Sequence, residues 1–241
     1  AIIAEFFEES NKGFGELMNN EVASISKALG SDKNTTVAII GGAKVSSKIG
    51  VINNMIENVG TVVIGGGMGF TFVKAMGGSI GTSLVEDDKL ELARELISKA
   101  KTCGCNLMIP EDTVITSEFK DSPPAGVCPI GEIPDGYMGL DNGPASISKV
   151  MSVLSTAKTI IWNGPMGVFE FEHYAEGTKR VAQAIADSTE NGAFSLIGGG
   201  DSVAAINKFG FTEKVSYIST GGGAMLEFLE GKELPGVAAL S

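Results

Sequence analysis

The segment TVAIIGG at residues 36–42 joins a short apolar run to a pair of glycines. Three other apolar runs lead into glycine clusters in the same way, at residues 61–67, 193–200 and 214–223. Short continuous apolar runs are typical of strands that are buried on both faces of a parallel sheet. The sequence therefore predicts a parallel sheet whose strands are followed by glycine turns.

Each of these glycine turns is followed by a helical pattern. Glycine can adopt positive φ and leaves room for a ligand beside the backbone, because it has no Cβ. A helix start adds unpaired N–H groups and the positive end of the helix dipole. The turns therefore predict a phosphate-binding site, although single glycine turns also occur in loops that bind nothing.

Helical and strand patterns alternate along the chain. Helices are predicted over about residues 15–29, 45–58, 70–76, 88–103, 145–156 and 173–191. Strands are predicted over residues 36–40, 61–64, 106–109, 159–162, 193–197 and 214–219. This alternation predicts an α/β fold, a three-layer Rossmann-like domain with a mainly parallel sheet of about six strands and right-handed crossovers.

Residues 111–144 interrupt the alternation. This segment contains five of the eight prolines, which are Pro123, Pro124, Pro129, Pro134 and Pro144. Its short apolar segments, such as residues 113–116, can pair as strands. We therefore expect a small β excursion between the two regular halves of the domain.

The charge of the chain argues against nucleic acid as a partner. The formal net charge is −11 over 241 residues, whereas a nucleic-acid binder needs clustered Lys and Arg to neutralise phosphates. The apolar runs are much shorter than the ~18 residues of a membrane span. The sequence thus predicts a protein that binds neither nucleic acid nor membrane and resides in the cytoplasm, while small phosphate ligands stay possible.

Several catalytic and cofactor fingerprints are missing from the sequence. There is no Gly-x-x-x-x-Gly-Lys-Ser/Thr loop, no strand that ends in Gly-x-Gly-x-x-Gly, and no Gly-x-Ser-x-Gly elbow. The three cysteines have neither disulfide nor zinc spacing, so we expect reduced thiols. The single histidine, His173, begins a helical pattern, which favours a surface or capping role over a catalytic one.

Two lysines follow the first glycine turn, in the segment GGAKVSSK at residues 41–48. The sequence predicts that Lys44 and Lys48 lie on the first helical turn, where positions i and i+4 share one face. Two cations on one face suit a di- or triphosphate. The alternative is a solvated pair of lysines without a ligand.

Two further segments carry polar groups at strand ends. The segment WNGPMGVFE at residues 162–170 follows a strand, and GGGDS at residues 198–202 joins a strand to a helix. Asp201 lies at the start of that helix, where an aspartate is most often an N-cap. It becomes a candidate Mg²⁺ ligand if a polyphosphate binds beside it.

These motifs together resemble the C-terminal domain of the phosphoglycerate kinase family. The resemblance covers about residues 13–240, and its motifs occur in the family's order. They are residues 41–48, 65–68 with 71–72, 139–141 with 143–144, 162–170, 198–202, and 219–224 through 234–237.

The resemblance implies a two-domain enzyme that transfers a phosphoryl group between 1,3-bisphosphoglycerate and ADP, with Mg²⁺ and the nucleotide on this domain. It also implies that the phosphoglycerate-binding N-terminal domain is missing. Residues 1–12 are then the junction from that domain, and residues 13–241 are the nucleotide-binding C-terminal domain. We expect a monomer that binds Mg-ADP or Mg-ATP and is not competent for transfer on its own.

The resemblance also implies roles for individual residues. Lys48 would bind nucleotide phosphates, and Lys44 would steady the transferring phosphoryl group. Asp201 would hold Mg²⁺, and Glu170 would accept hydrogen bonds from the ribose. The base would contact Gly65, Gly66, Gly139, Leu140 and Met166, and the nucleotide site also includes Gly42, Ala43 and Asn163. The β- and γ-phosphates would be reached by Ser202 and by the N–H groups of Gly199 and Gly200. The N–H groups of residues 221–223, with Gly222 at their centre, would stabilise the transferred group together with Gly199.

Two residues depart from the family's pattern. Ser47 stands where relatives often carry aspartate, which puts any contact from that position to the metal in doubt, and Ala145 replaces a common acidic residue. The main alternative is a stand-alone nucleotide-binding or interaction module, which the intact reading frame would reveal. A dehydrogenase is less favoured, because no dinucleotide fingerprint is present.

Overall fold

The computed structural model describes residues 2–240 of the chain. The predicted junction segment at residues 1–12 begins with Ala1, which, like Ser241, lies outside the described residues. The strands are β1 Thr36–Ile40, β2 Thr61–Ile64, β3 Ser79–Ile80, β4 Asn106–Met108, β5 Asp112–Thr116, β6 Gly126–Pro129, β7 Glu132–Ile133, β8 Met138–Asn142, β9 Thr159–Asn163, β10 Phe194–Gly198 and β11 Tyr217–Ile218. The helices are α1 Glu16–Leu29, α2 Ile49–Asn58, α3 Met68–Ala75, α4 Leu90–Thr102, α5 Pro144–Leu154, α6 Glu176–Glu190, α7 Gly200–Lys208, α8 Gly222–Leu229 and α9 Pro235–Ala238.

Six strands form one parallel sheet in the order β11-β10-β9-β1-β2-β4. This confirms the predicted fold class. The first strand lies in the middle, with β2 and β4 on one side and the three later strands on the other. The order therefore reverses between β1 and β9, and ligands of such sheets bind beyond the carboxyl ends of the strands at this switch point.

The core lies on both faces of the sheet. Successive residues of β1 point in opposite directions, so Ala38 and Ile40 pack with helices α1, α2, α3, α4 and α8, while Val37 and Ile39 pack with α5, α6 and α7. All residues of β1 are buried, as expected for a central strand of a parallel sheet. The result is the predicted three-layer arrangement.

The proline-rich middle of the chain forms the predicted β excursion. The strands β6, β5 and β8 make an antiparallel sheet, and β3 pairs with β7. The excursion has its own apolar cluster, which includes Phe70 from α3 together with Ile115 and Ile133. It therefore packs beside α3 and places the end of β8 next to the switch point.

Some predicted boundaries are wrong in ways that matter for the site. The helix predicted from residue 45 begins at Ile49, because residues 45–48 form a turn. The helix predicted from His173 begins at Glu176, after a 3-10 helix at Glu172–Tyr174. The strand predicted over residues 214–219 is only Tyr217–Ile218, and Lys214 belongs to a 3-10 helix.

Within residues 2–240, no helix combines the length and the apolar character that a membrane span requires. The three cysteines are free thiols, as predicted.

Candidate functional site

Two glycine turns touch at the switch point of the sheet. Gly41 follows β1 and its N–H donates to the carbonyl oxygen of Asn163 at 2.9 Å. A Cβ on Gly41 would lie 2.6 Å from the carbonyl oxygen of Gly164, and a Cβ on Gly164 would overlap the carbonyl group of Gly41. There is no room for a side chain at either position, so the two turns can approach this closely only because both residues are glycine.

A cleft of about 280 Å³ opens beside these turns, at the carboxyl ends of β1 and β2 and along β8. Seven residues predicted to bind the nucleotide line it together with Asp201: Gly42, Ala43, Gly66, Gly139, Leu140, Met166 and Glu170. Its wall also includes apolar side chains that the sequence did not single out: Phe70, Leu84, Phe119, Met138 and Val168. Glycines without side chains and mostly apolar residues therefore form the walls of the cleft, which suits a flat aromatic base. We call it the base cleft.

Gly65 does not line the base cleft. It lies beneath Met166, because a Cβ on Gly65 would be 2.6 Å from the Met166 sulfur. The neighbouring Gly66 donates its N–H to the carbonyl oxygen of Met166 at 2.9 Å. The Gly65-Gly66 turn thus supports Met166 from below.

A second cleft of about 210 Å³ lies at the ends of β9 and β10. It is lined by Lys48, Asn163, Gly164, Gly199, Gly200, Asp201, Gly222, Gly223 and Leu226. Asp201 lines both clefts, so they adjoin at this residue. We call the second one the phosphate cleft, because it combines a cation with two helix N-termini.

Lys48 is the cation of the phosphate cleft. It is the N-cap residue of α2, and its Nζ donates to Oδ1 of Asn163. Asn163 is buried, and its Nδ2 donates in turn to the carbonyl oxygen of Gly198 at 3.0 Å. Burial lowers the pKa of Lys48, and the charge of Asp201 opposes that shift. The ammonium group is therefore partly desolvated and held at the end of β9.

Lys44 has a different position. It is exposed and lies outside both clefts, in a turn whose following residue, Val45, is fully buried. The prediction that Lys44 and Lys48 share one helix face is wrong, since the helix starts only after Lys48. Lys48 is fixed in a cleft, whereas Lys44 is free to reach toward a group that enters from solvent.

Asp201 is the second residue of α7 and does not cap it. The N-cap is Gly199, which has φ +85 and supplies no side chain, so the N–H groups of the first helical turn have no side-chain cap. The N-terminus of α8 is likewise without a side-chain cap. Two helix N-termini with unpaired N–H groups therefore line the phosphate cleft, where an anion binds favourably.

Asp201 fits a Mg²⁺ ion that is carried by a polyphosphate. Between residues 2 and 240, no group of three or more His, Cys, Asp or Glu side chains could hold a metal by itself. Mg²⁺ is commonly bound by one or two carboxylates while phosphate oxygens and water complete its octahedron. A single exposed carboxylate beside the phosphate cleft suits that arrangement and does not suit a resident metal.

Ser202 lies outside both clefts. It is fully buried, and its Oγ accepts the N–H of Gly164 at 2.5 Å. Ser202 thus ties the first turn of α7 to the glycine turn after β9.

Two carboxylates that no sequence pattern singles out hold the loops of the site. Glu21 on α1 is buried and accepts hydrogen bonds from Ser219 Oγ at 2.8 Å and from Thr220 N at 2.6 Å, just before α8. Glu86 accepts hydrogen bonds from the hydroxyl of Ser46 at 2.5 Å and from the backbone N–H of Ser46 at 3.1 Å. Ser46 belongs to the turn at residues 44–48, which we call the lysine turn. Only the folded chain brings these pairs together, because they are far apart in sequence.

Asp141 lies in the wall of the base cleft with its carboxyl group buried. The N–H groups of Gly177 and Asn142 donate to it at 2.7 and 2.8 Å. Burial raises the pKa of Asp141 to about 7, and the two N–H donors oppose that shift. The group therefore changes its charge near neutral pH.

We expect the stability contribution of Asp141 to fall as the pH rises. Its folded-state pKa is raised, so the folded chain keeps a proton that the unfolded chain releases near pH 4. The contribution is fully present below about pH 4 and is lost as the pH passes about 7. Urea unfolding of the wild type and of Asp141→Asn at pH 5 and pH 8 measures this contribution. Between pH 5 and pH 8 the free energy of unfolding of the wild type should fall, relative to that of the variant, by roughly 2–3 kcal/mol.

Asp187→Asn is the matched control for this measurement, since Asp187 is exposed on α6. Its stability relative to the wild type should change little between the two pH values. A difference between the wild type and Asp141→Asn that is the same at both pH values would contradict the raised pKa.

The phosphoglycerate kinase family model matches residues 1–232 of the chain. The phosphoglycerate kinase of Porphyromonas gingivalis is 52% identical over 240 residues, which are 100% of this chain and 57% of the relative. The cytosolic phosphoglycerate kinase of Nicotiana tabacum is 51% identical over 99% of this chain and 59% of its own length.

Solved structures agree with these matches. Phosphoglycerate kinase from Coxiella burnetii superposes with a TM-score of 0.89 at 41% identity, over 94% of this chain and 58% of that chain. Phosphoglycerate kinase from Pyrococcus horikoshii OT3 superposes with a TM-score of 0.79 at 32% identity, over 94% of this chain and 56% of that chain. The chain thus spans somewhat more than half the length of these relatives.

Proposed function

The chain belongs to the phosphoglycerate kinase family, and from that premise we propose that it is the nucleotide-binding part of an enzyme that transfers a phosphoryl group between 1,3-bisphosphoglycerate and ADP in glycolysis. The observation that carries the proposal is the pair of adjoining clefts at the switch point of the sheet. One cleft is mainly apolar, and the other holds a cation and two helix N-termini. That pairing matches the two ends of a nucleoside diphosphate.

In the proposed complex the adenine lies in the base cleft, between Gly66, Leu140 and Met166. Glu170, which is exposed at the rim, accepts hydrogen bonds from the ribose hydroxyls. The phosphates then extend past Asp201 into the phosphate cleft. Lys48 and the N–H groups at the starts of α7 and α8 bind them there, and Asp201 contributes a ligand to the Mg²⁺ of Mg-ADP.

The proposed transfer needs no general base from this chain. An oxygen of the ADP β-phosphate attacks the phosphorus of the acyl phosphate, and the bond from phosphorus to the acyl oxygen breaks. The leaving group is a carboxylate, which departs without taking up a proton. Catalysis then consists of positioning and charge neutralisation, for which Lys44 and the N–H groups of Gly199 and Gly222 are the proposed donors to the transferring group.

The lone histidine fits this mechanism. His173 is exposed and lies outside both clefts, so it takes no part in the proposed proton-free transfer. Its surface position agrees with the role favoured by its sequence context.

We further propose that the acyl-phosphate substrate is bound mainly by the part of the family's length that this chain does not span. Among the described residues, Lys48 is the one cation that lines either cleft, and a second phosphorylated substrate requires more. The chain alone then binds Mg-ADP but transfers very slowly, because the second substrate is not held in line. By analogy with the cytosolic tobacco relative, we propose that the reaction takes place in the cytoplasm. That the protein is a monomer stays a prediction.

The proposal is tested by the effect of Mg²⁺ on ADP binding, measured by calorimetry with the wild type and Asp201→Asn. We expect Mg²⁺ to increase the affinity of the wild type about tenfold, because Asp201 ligates the metal. In Asp201→Asn this increase should disappear, while ADP without metal should bind as well as before or better, since a negative charge near the phosphates is gone.

Asp187→Asn serves again as the control and should keep the full effect of Mg²⁺. NAD is the control ligand and should not bind, which separates the proposal from a dehydrogenase. An Asp201→Asn variant that responds to Mg²⁺ like the wild type would contradict the proposed metal contact, and a folded chain that does not bind ADP would contradict the proposed function.

A further inference from the structure

A loop from the β excursion forms part of the base cleft. Residues 117–125 connect β5 to β6, and Phe119 in this loop lines the cleft although 64% of its surface is exposed. The ring of Phe119 packs against Phe171, with 5.2 Å between the centroids and a tilt of 53°. One wall of the cleft thus depends on an exposed, proline-containing loop.

Asp121 ties this loop to the segment that carries Glu170. Its Oδ2 accepts the N–H of Glu172 at 3.0 Å, and its Oδ1 accepts the N–H of His173 at 3.2 Å. The same Oδ1 lies 2.8 Å from Nδ1 of His173. One carboxylate therefore joins the loop of Phe119 to the 3-10 helix that begins two residues after Glu170.

The loop has few other anchors of this kind. The remaining hydrogen bonds described for residues 117–124 are local ones, such as Lys120 N to the carbonyl oxygen of Glu118 at 2.9 Å and the Thr116 hydroxyl to the same oxygen at 3.2 Å. In the described part of the chain, Asp121 accordingly makes all the hydrogen bonds between this loop and residues 170–174. Its removal leaves mainly the contact of the two phenylalanine rings.

We propose that Asp121 is a positioning residue for the nucleoside end of the nucleotide. It holds Phe119 and the Glu170 segment together so that both stay in the wall of the base cleft. This inference rests on the proposed function. Asp121 is absent from the linings of both clefts, so it acts through Phe119 and Glu170 and not through contact with the ligand.

The proposal distinguishes the two ends of the ligand. Phe119 and Glu170 line the base cleft but not the phosphate cleft. Loss of Asp121 should therefore weaken the binding of a ligand that carries a base and a ribose. The binding of a ligand made only of phosphate should be unaffected. If Asp121 had only a general structural role, its loss would weaken the binding of both ligands by the same factor.

The test measures the affinities of Mg-ADP and Mg-pyrophosphate for the wild type, Asp121→Ala and Asp121→Asn by calorimetry. Asp121→Ala should bind Mg-ADP about five- to tenfold more weakly and Mg-pyrophosphate within about twofold of the wild type, as expected when a few charge-assisted hydrogen bonds to a loop are lost. The affinity of Asp121→Asn for Mg-ADP should lie between those of the wild type and Asp121→Ala, because the amide keeps one of the two acceptor oxygens.

Glu118→Ala is the matched control, since Glu118 lies in the same loop and pairs at the surface with Lys120. It should bind both ligands like the wild type. An Asp121→Ala variant with unchanged Mg-ADP affinity, or with equal losses for both ligands, overturns this inference alone. A wild-type chain that binds neither ligand contradicts the proposed function and this inference with it.

Discussion

Replacing Lys48 by alanine should lower the affinity of the chain for Mg-ADP by about 100-fold. Lys48 is the cation of the phosphate cleft, and it is held in place by the buried side chain of Asn163. Burial lowers the pKa of Lys48, so its ammonium group is partly desolvated before a ligand arrives. A charged hydrogen bond to phosphate in such surroundings contributes about 2–3 kcal/mol, which corresponds to roughly 100-fold in affinity.

Calorimetric titration of Lys48→Ala measures this effect, and thermal unfolding confirms that the variant is folded. Two lysines serve for comparison. Lys74→Ala should bind like the wild type, because Lys74 pairs with Asp87 outside both clefts. Lys44→Ala should lose much less affinity than Lys48→Ala, because Lys44 is exposed and outside the clefts. Equal losses for Lys44→Ala and Lys48→Ala would contradict the assigned roles.

Replacing Gly164 by alanine should reduce the free energy of unfolding by at least about 3 kcal/mol. Gly164 has φ +103, a conformation that an alanine adopts only under strain, and an added Cβ would overlap the carbonyl group of Gly41. Both partners are backbone at the ends of the central strands β1 and β9, so neither can move aside without disturbing the sheet. Urea unfolding measures the loss.

Gly69→Ala is the matched control for Gly164→Ala. Gly69 is also buried, but it lies inside α3, and a Cβ there would meet only Pro110 at 3.6 Å, an ordinary contact. Alanine is favoured over glycine in a helix, so this variant should be as stable as the wild type or slightly more stable. If Gly164→Ala were as stable as Gly69→Ala, the close approach of the two turns would be refuted.

The central strands could be predicted closely from the sequence. The sequence predicts strands at residues 36–40 and 61–64, and β1 and β2 have these bounds. The reason is physical: a strand buried on both faces must be apolar at nearly every position, and such a run is visible locally. The glycine turns were visible for a similar reason, because close backbone contacts such as that between Gly41 and Gly164 exclude other residues.

The lysine turn could not be predicted in the same way. The spacing of Lys44 and Lys48 fits a helix, but the burial of Val45 and the bonds from Ser46 to Glu86 keep the backbone in a turn until Ile49. These contacts come from another part of the chain. Local periodicity therefore predicts that the two lysines lie side by side on a helix, whereas the tertiary structure places only Lys48 in a cleft.

The supporting residues of the site were hidden for a related reason. Glu21 binds Ser219 across 198 residues, and Phe119 reaches the base cleft from a polar, proline-containing loop. No spacing or composition at these positions points to a ligand. Their contribution lies in holding the walls and turns of the clefts, which only the folded chain reveals.

A crystal structure of this chain with Mg-ADP tests the account most directly. We predict that the adenine lies between Gly66, Leu140 and Met166, and that the β-phosphate is within hydrogen-bond distance of Lys48 Nζ and the N–H of Gly200. The Mg²⁺ ion should contact the carboxylate of Asp201. A nucleotide bound away from the switch point, or bound with its phosphates in the base cleft, would contradict the account.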